Sequence, residues 1–340
     1  MDRAAIEERY GGAARAAMDA FGLAGGALSL VAVSENVTFR VDAPDGDAYV
    51  LRLHRPGYHT LAELVSERAW TAALAGAGMA VPRGVTTNGG RHYVEVVAAD
   101  GERRYAGVTR WIEGTPLGRV LRAAEAHEYL PHFDAIGAIA ATVHNQSSGW
   151  AAPAGFTRHA FDVDGLFGET PFWGRFWDSP LLSRAERRLV VRTRDAIGAA
   201  LARYGADART YSLIHSDLHF GNVLVDGDRL AVIDFDDCGF GWHQYELAVV
   251  LAGHPAERFD AHFESLLRGY RRVRAFPDQD AALVPMFVVA RALAQLGWIE
   301  QRPEHHRPGV VQAHKDRACT LCASLDTRDL PAPVGGQPGK

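Results

Sequence analysis

"LIHSDLHFGNVLVDGDRLAVIDFDD", residues 213–237, sets Asp217, Asn222, Asp234, Asp236 and Asp237 among runs apolar enough to be buried strands. Charge placed beside buried strands has to be paired or has to hold a cation, because an unpaired ion taken out of water is expensive. Within the stretch, His215-Ser-Asp217-Leu-His-Phe-Gly-Asn222 spells H-x-D-x-x-x-x-N. Asp234 follows Asn222 by twelve residues, across the turn Asp226-Gly227. "NVLV" and "LAVIDF" on either side of that turn read as two short strands, so a tight hairpin would bring Asn222 and Asp234 side by side. One carboxylate and one amide oxygen, with room for water and phosphate oxygens, is a ligand set that suits magnesium in phosphoryl-transfer enzymes. Asp217, on the loop ahead of the hairpin, can then accept a proton from a hydroxyl. The competing reading, zinc on His215 and His219, needs a third ligand and a helix where the surrounding residues read as a loop.

The pair "HSDLHFGN" and "IDFDD" resembles the catalytic and metal-binding motifs of the aminoglycoside phosphotransferase and choline kinase superfamily, kin of the eukaryotic protein kinases. The flanking text is most similar to its homoserine kinase II and stress-response kinase A branch. The resemblance implies an α+β, two-lobed protein-kinase-like fold: an N-terminal antiparallel sheet with one main helix, then a mainly helical C-terminal lobe. It implies ATP and Mg2+ as cofactors, Asp217 as catalytic base, Asn222 and Asp234 as magnesium ligands, and His215 as a structural orienter of the loop.

The first third of the chain fits that expectation. "LSLVAVS", "VTFRVDA", "AYVLRLH", "HYVEVVA" and "YAGVTRWI" read as strands, with Asp45-Gly46, Asn88-Gly89 and Asp100-Gly101 at turn positions. "LAELVSERAWTAALAGAG" has helical spacing and ends in glycines. A kinase needs a cation on its third strand paired with a helix glutamate, and Arg52 and Glu67 stand in those places, with Arg where protein kinases carry Lys. No glycine-rich phosphate loop exists. The corresponding turn reads Ser34-Glu35-Asn36, so Ser34 or Asn36 would contact phosphates. "VTRWIEGTPL" looks like the hinge at about residues 108–117, with Thr109, Trp111 and Ile112 as candidates to meet adenine along an extended edge. The expected division is a nucleotide-binding lobe over 1–110, a helical catalytic and substrate lobe over 111–328, and a flexible Pro/Gly-rich tail over 329–340.

The second part is dominated by long helical stretches such as "HFDAIGAIAATVHNQ", "RAERRLVVRTRDAIGAALARYG" and "FDAHFESLLRGYRRV". The resembling family carries an Asp before Leu-Ala that braces the catalytic loop, and this chain has Glu246 there. "TPFWGRFWDSPLL" offers aromatic walls for a small pocket, with Trp173 and Trp177 as substrate candidates beside Asp236 and Asp237; core packing accounts for any of these aromatics equally well.

Composition excludes several classes. The chain is 47% hydrophobic and 23% charged, an ordinary globular balance, and its net charge of -5 supplies no basic field for a nucleic acid. The N-terminus lacks the apolar core of a secretory signal, so a cytoplasmic location is expected. "AALVPMFVVARALAQLGWI" is broken by Pro285, Arg291 and Gln295 and reads as a buried helix, not a membrane span. Cys319 and Cys322 form a lone C-x-x-C on a late helix with no second ligand pair. The expected activity is transfer of the ATP γ-phosphate to a hydroxyl of a small, amine-bearing molecule such as an aminoglycoside, homoserine or a choline-like alcohol. The alternatives are a stress-response protein Ser/Thr kinase, disfavoured because no Ser or Thr lies between Asp234 and Glu264, and a non-catalytic nucleotide-binding module. No oligomeric state is expected in particular.

Overall fold

The computed structural model of the chain describes residues 3–123, 125–307 and 309–325. The tail expected over 329–340 lies outside them. The described residues form two compact units, the first running to Leu117 and taking in Ala151–Arg158 and Gly221–Asp236, the second made of the rest.

The first unit is built on an antiparallel sheet of strands β1 (Ala27–Val33), β2 (Val37–Asp42), β3 (Ala48–Leu53), β4 (Gly84–Val85), β5 (Tyr93–Val97) and β6 (Arg103–Arg110), ordered β1-β2-β3-β6-β4 with β5 paired to β6. The expected turns form. Gly46 (φ 91°) and Gly101 (φ 87°) take left-handed backbone that only glycine adopts freely, while after Asn88-Gly89 the positive φ falls one residue later, on Gly90. One face of the sheet, with Val37, Phe39, Leu51, Leu53, Ala106 and Val108, packs on the Ala- and Ile-bearing face of helix α1 (Arg3–Ala20). To the one main helix expected, α2 (Leu61–Gly76, opened by a Thr60/Glu63 capping box), the structure thus adds a second on the α1 side of the sheet.

The division differs from the one expected, for reasons visible in the hydrogen bonds. Strand β7 (Thr115–Pro116) pairs with β10 (Val223–Asp226), and β10 with β11 (Arg229–Val232), while Val232 N–H donates to Ala80 O at 2.9 Å, so the hairpin of the central motif folds with the sheet unit. Residues 151–158 join it too: Thr157 N–H donates to Ser66 Oγ at 2.9 Å, and Arg158 Nη1 to Glu63 O at 3.3 Å.

The second unit holds a small sheet ordered β8-β12-β9 (Ala160–Phe161, Gly239–Trp242, Tyr211–Ile214) and long helices Leu130–Gly149, Arg184–Tyr204, His243–Ala252, Phe259–Val273, Val284–Glu300 and Val310–Ser324. Helices Leu130–Gly149 and Phe259–Val273 cross through glycines. A Cβ on Gly137 would sit 2.1 Å from Leu266 O, and one on Gly269 1.7 Å from Asp134 O. Among the described residues, Asp278–Glu300 is the segment long and apolar enough to cross a membrane, and 78% of its most apolar window is buried inside the protein. The late C-x-x-C lies on helix Val310–Ser324 with both thiols free.

Candidate active site

The sheet unit gathers charge on the face opposite α1. Alternation along β3 turns Tyr49, Leu51 and Leu53 to the core and Val50 and Arg52 to the other side, where Arg52, Glu67, Thr109 and Asp234 line one small cavity. Arg52 Nη1 lies 2.9 Å from Asp234 Oδ1 and 3.8 Å from Asp236 Oδ1. The pair expected between Arg52 and Glu67 is therefore corrected: among the described residues the ion pairs of Arg52 go to the two aspartates. Glu67 is buried beside it with Oε2 lacking a hydrogen-bond partner, and acts on the guanidinium through space. Burial works against the charge on Arg52, but the fields of Asp234, Asp236 and Glu67 outweigh it and raise its pKa further.

The β10–β11 hairpin turns at Gly227 (φ 58°) and runs in register from Asp226 opposite Arg229 to Val223 opposite Val232. Ile233 N–H then donates to Asn222 O at 2.9 Å, which sets Asn222 alongside the chain where it enters Asp234. Asp234 holds φ at 65°, left-handed backbone that a short polar side chain tolerates. Its side chain stays 42% exposed despite the Arg52 contact. The accessible carboxylate of Asp234 and the unpartnered buried carboxylate oxygen of Glu67 line the same cavity, oxygen donors of the kind hard divalent cations take.

Two sequence candidates in this unit have other tasks. Asn36 Nδ2 donates to Asp236 Oδ2 at 2.9 Å, and Asn36 Oδ1 accepts from Arg55 N–H at 2.9 Å, so this amide is consumed inside the protein instead of meeting phosphates. Asp236 is 6% exposed and is enclosed by Asn36, Arg52 and His54, whose Nδ1 lies 3.5 Å away, so it cannot serve as a substrate contact. Burial would push Asp236 up. The close approach of His54 and the fields of Arg52 and His59 hold it well below the usual carboxylate range instead. Ser34 stays exposed at the turn, its N–H donating to Asn36 O at 3.1 Å.

Past β6 the chain borders a cavity of about 430 Å³ lined by Met79, Val81, Trp111, Ile112, Leu224 and Leu230, with Arg83, Arg110, Asp226 and Arg229 at polar positions. Its size and apolar walls suit a heteroaromatic ring. Trp111 N–H is committed to Ala48 O, whereas the backbone groups of Ile112 and Glu113 make no hydrogen bond among the described residues. Thr109 is buried in the neighbouring Arg52 cavity instead.

In the helical unit, Asp217 sits on a loop held from several sides. Fully buried Glu246 accepts His215 N–H at 2.5 Å and Ser216 N–H at 3.2 Å through Oε2, so the longer Glu makes the bracing contact with the loop. Ser216 has φ at 62°, and its hydroxyl donates to Asp237 O at 2.5 Å; this strained residue is over-determined by its bonds, as strain at working sites tends to be. His215, wholly buried, accepts Asp217 N–H on Nδ1 at 3.2 Å. Arg291 Nη2 donates to Asp217 Oδ1 at 2.9 Å, and His219 Nε2 lies 3.4 Å from Oδ2. Burial alone would raise Asp217, but the hydrogen bond and charge of His219 and the charges of Arg291 and His215 bring it down to about 2. It is a carboxylate across the working pH range. Burial pushes Glu246 up to about 7, against the hydrogen bonds from Ser216 and His215.

The aromatic candidates are corrected. Trp177 is 6% exposed, edge-on to Phe176 and capped by Arg175 and Arg194, so it belongs to the core. Trp173 is 3% exposed and packs against Phe161, with the Arg291 guanidinium 4.6 Å over its ring. Asp237 is half-buried, and its carbonyl serves Ser216. Arg291 is the site residue for which sequence reasoning gave no role, and the available signal was a lone cation inside an apolar helix; Glu246, standing where the resembling family braces with Asp, makes that contact itself.

The fold is that of the protein-kinase-like phosphotransferases. Residues 29–278 match the model of the phosphotransferase enzyme family, and the chain belongs to that family, an enzyme that transfers a phosphoryl group to an alcohol. It is 33% identical to a solved microcompartment-associated aminopropanol kinase, at a TM-score of 0.76 over 91% of this chain and 93% of that one. It is 32% identical over 297 residues to an uncharacterized protein of Deinococcus radiodurans, covering 84% of this chain and 80% of the relative. A solved amicoumacin kinase in complex with AMP-PNP, Ca2+ and Ami shares the fold, with a TM-score of 0.70 at 18% identity over 89% of this chain and 92% of that one.

Proposed function

We propose that the enzyme is an ATP-dependent kinase of a small amino alcohol. The observation that carries the reading is the likeness to an aminopropanol kinase across nearly the whole length of both chains.

In this reading Asp217, kept ionised by His219, Arg291 and His215, accepts a hydrogen bond from the acceptor hydroxyl and aims its oxygen at the γ-phosphorus. The proton passes to the carboxylate late, as the new P–O bond forms and the bond to the β-phosphate oxygen breaks, so a base of low pKa suffices. Arg52 orients the phosphates as a fixed cation. Magnesium, when bound, would be held by Asn222 and Asp234 and would neutralise phosphate charge.

The test is ATP consumption with magnesium across matched acceptors: 1-amino-2-propanol against 1,2-propanediol, ethanolamine against ethylene glycol, with homoserine, choline, kanamycin and a generic protein substrate beside them. A preference for the amines of at least about tenfold in kcat/KM, equivalent to ~1.4 kcal/mol, is expected. Preference for the diols, or transfer only to protein Ser and Thr, refutes the reading.

A further inference from the structure

Helix Val284–Glu300 is apolar almost throughout, and Arg291 is the cation in its interior, 5% exposed. A guanidinium in such a place has to be paired. Its pairing is directed: Nη2 donates to Asp217 Oδ1 at 2.9 Å, Nη1 to Ser216 O at 3.3 Å, and its plane lies over Trp173. We infer that Arg291 is a positioning residue that aims the carboxylate of Asp217, with Trp173 as its backing plate.

The inference rests on Asp217 being the base for the acceptor hydroxyl. The last torsion of an Asp side chain is broad and roughly two-fold, so an unsupported carboxylate would sample many orientations. Arg291 restricts that torsion at Oδ1, while its second donor takes the carbonyl of the residue just before Asp217. Glu246 grips the N–H of the same Ser216 from helix His243–Ala252. The loop is thus held through both polar backbone groups of Ser216, and Arg291 alone of the two anchors reaches the reacting carboxylate. Buried to this degree, Arg291 acts through Asp217 and not on the acceptor.

A double-mutant cycle tests this with Arg291→Met, Asp217→Asn and the double variant, measuring kcat and the KM for ATP both with 1-amino-2-propanol and for acceptor-free ATP hydrolysis. The hydrolysis arm keeps the cycle readable whatever the alcohol proves to be. Arg291→Met is expected to lower kcat by roughly 10- to 100-fold with the KM for ATP unchanged, and to lower it no further in the Asp217→Asn background, because residues acting as a unit are non-additive. Arg291→Lys, which keeps charge but loses the fork, should fall between wild type and Arg291→Met. Should Arg291→Met fail to fold, the double variant and Arg291→Lys strand no charge and carry the same comparison. Losses that multiply in the double variant, or full kcat in Arg291→Lys and Arg291→Met, overturn the inference. Full kcat in Asp217→Asn overturns the base reading itself, and with it anything for Arg291 to aim.

Discussion

Glu246 offers a sharp test of the site's electrostatics. It is wholly buried, its Oε2 accepts two backbone N–H groups of the Asp217 loop, and burial raises it from 4.5 to about 7. Its pKa is higher folded than unfolded, so the associated stability is fully present below about 4.5, is lost as pH rises toward 7, and is flat above that. Over that window the linkage amounts to ~3 kcal/mol. Glu246→Gln keeps the size and one acceptor oxygen but cannot titrate. Urea unfolding followed by tryptophan fluorescence from pH 4 to pH 8 should therefore show the difference between wild type and Glu246→Gln moving by ~3 kcal/mol in favour of the variant. Subtracting the variant cancels every other titrating group that the substitution leaves alone. A difference flat with pH would mean that the two N–H bonds hold the carboxylate ionised at an ordinary pKa, and the reasoning would be wrong.

Arg52→Ala should weaken binding of ATP by at least about tenfold more than binding of adenosine, since a guanidinium serves phosphates and not the ring; equal losses by calorimetry would make the residue merely structural. Asp236→Ala removes the carboxylate that Asn36, His54 and Arg52 enclose and should cost ~3–5 kcal/mol of stability in chemical unfolding; a loss under about 1 kcal/mol would return Asp236 to the list of substrate contacts. Gly269→Ala puts a methyl 1.7 Å from Asp134 O at the helix crossing, so a melting temperature within a degree or two of wild type, rather than a drop reflecting ~3 kcal/mol or more, would show that the helices separate freely.

What could be read from the sequence followed the range of the physics involved. The strands, α2 and the β10–β11 hairpin are written in local pattern and turn chemistry, and Asp226-Gly227 fixes a register that sets Asn222 beside Asp234. Contacts between distant segments were not legible. Asn36 and Asp236 are 200 residues apart in the chain, and nothing local says that an amide at a turn is spent on a buried carboxylate. The Arg52–Glu67 pair was placed by resemblance alone. The actual partners of Arg52, Asp234 and Asp236, come from a hairpin whose docking on the sheet unit depends on β7 and Ala80. The aromatic cluster at 172–177 was ambiguous for a related reason: burial, not residue type, separates a pocket wall from a core, and burial is a property of the assembled unit.

Arg291 marks the boundary between those cases. Its helix reads as buried from composition, and a cation in a buried helix must have an anion near it, so the sequence already demands a partner. It does not say which one, because the candidate carboxylates lie on several distant segments. The structure resolves the choice as Asp217, 74 residues earlier in the chain, with Trp173 on the guanidinium face. Removing Asp217 strands the Arg291 guanidinium in an interior that cannot solvate it, whereas Asp217, its side chain 22% exposed, keeps solvent and His219. Replacing both should therefore be easier on the fold than replacing Asp217 alone. Turnover follows a different rule: once Asp217 is gone, there is no carboxylate left for Arg291 to hold.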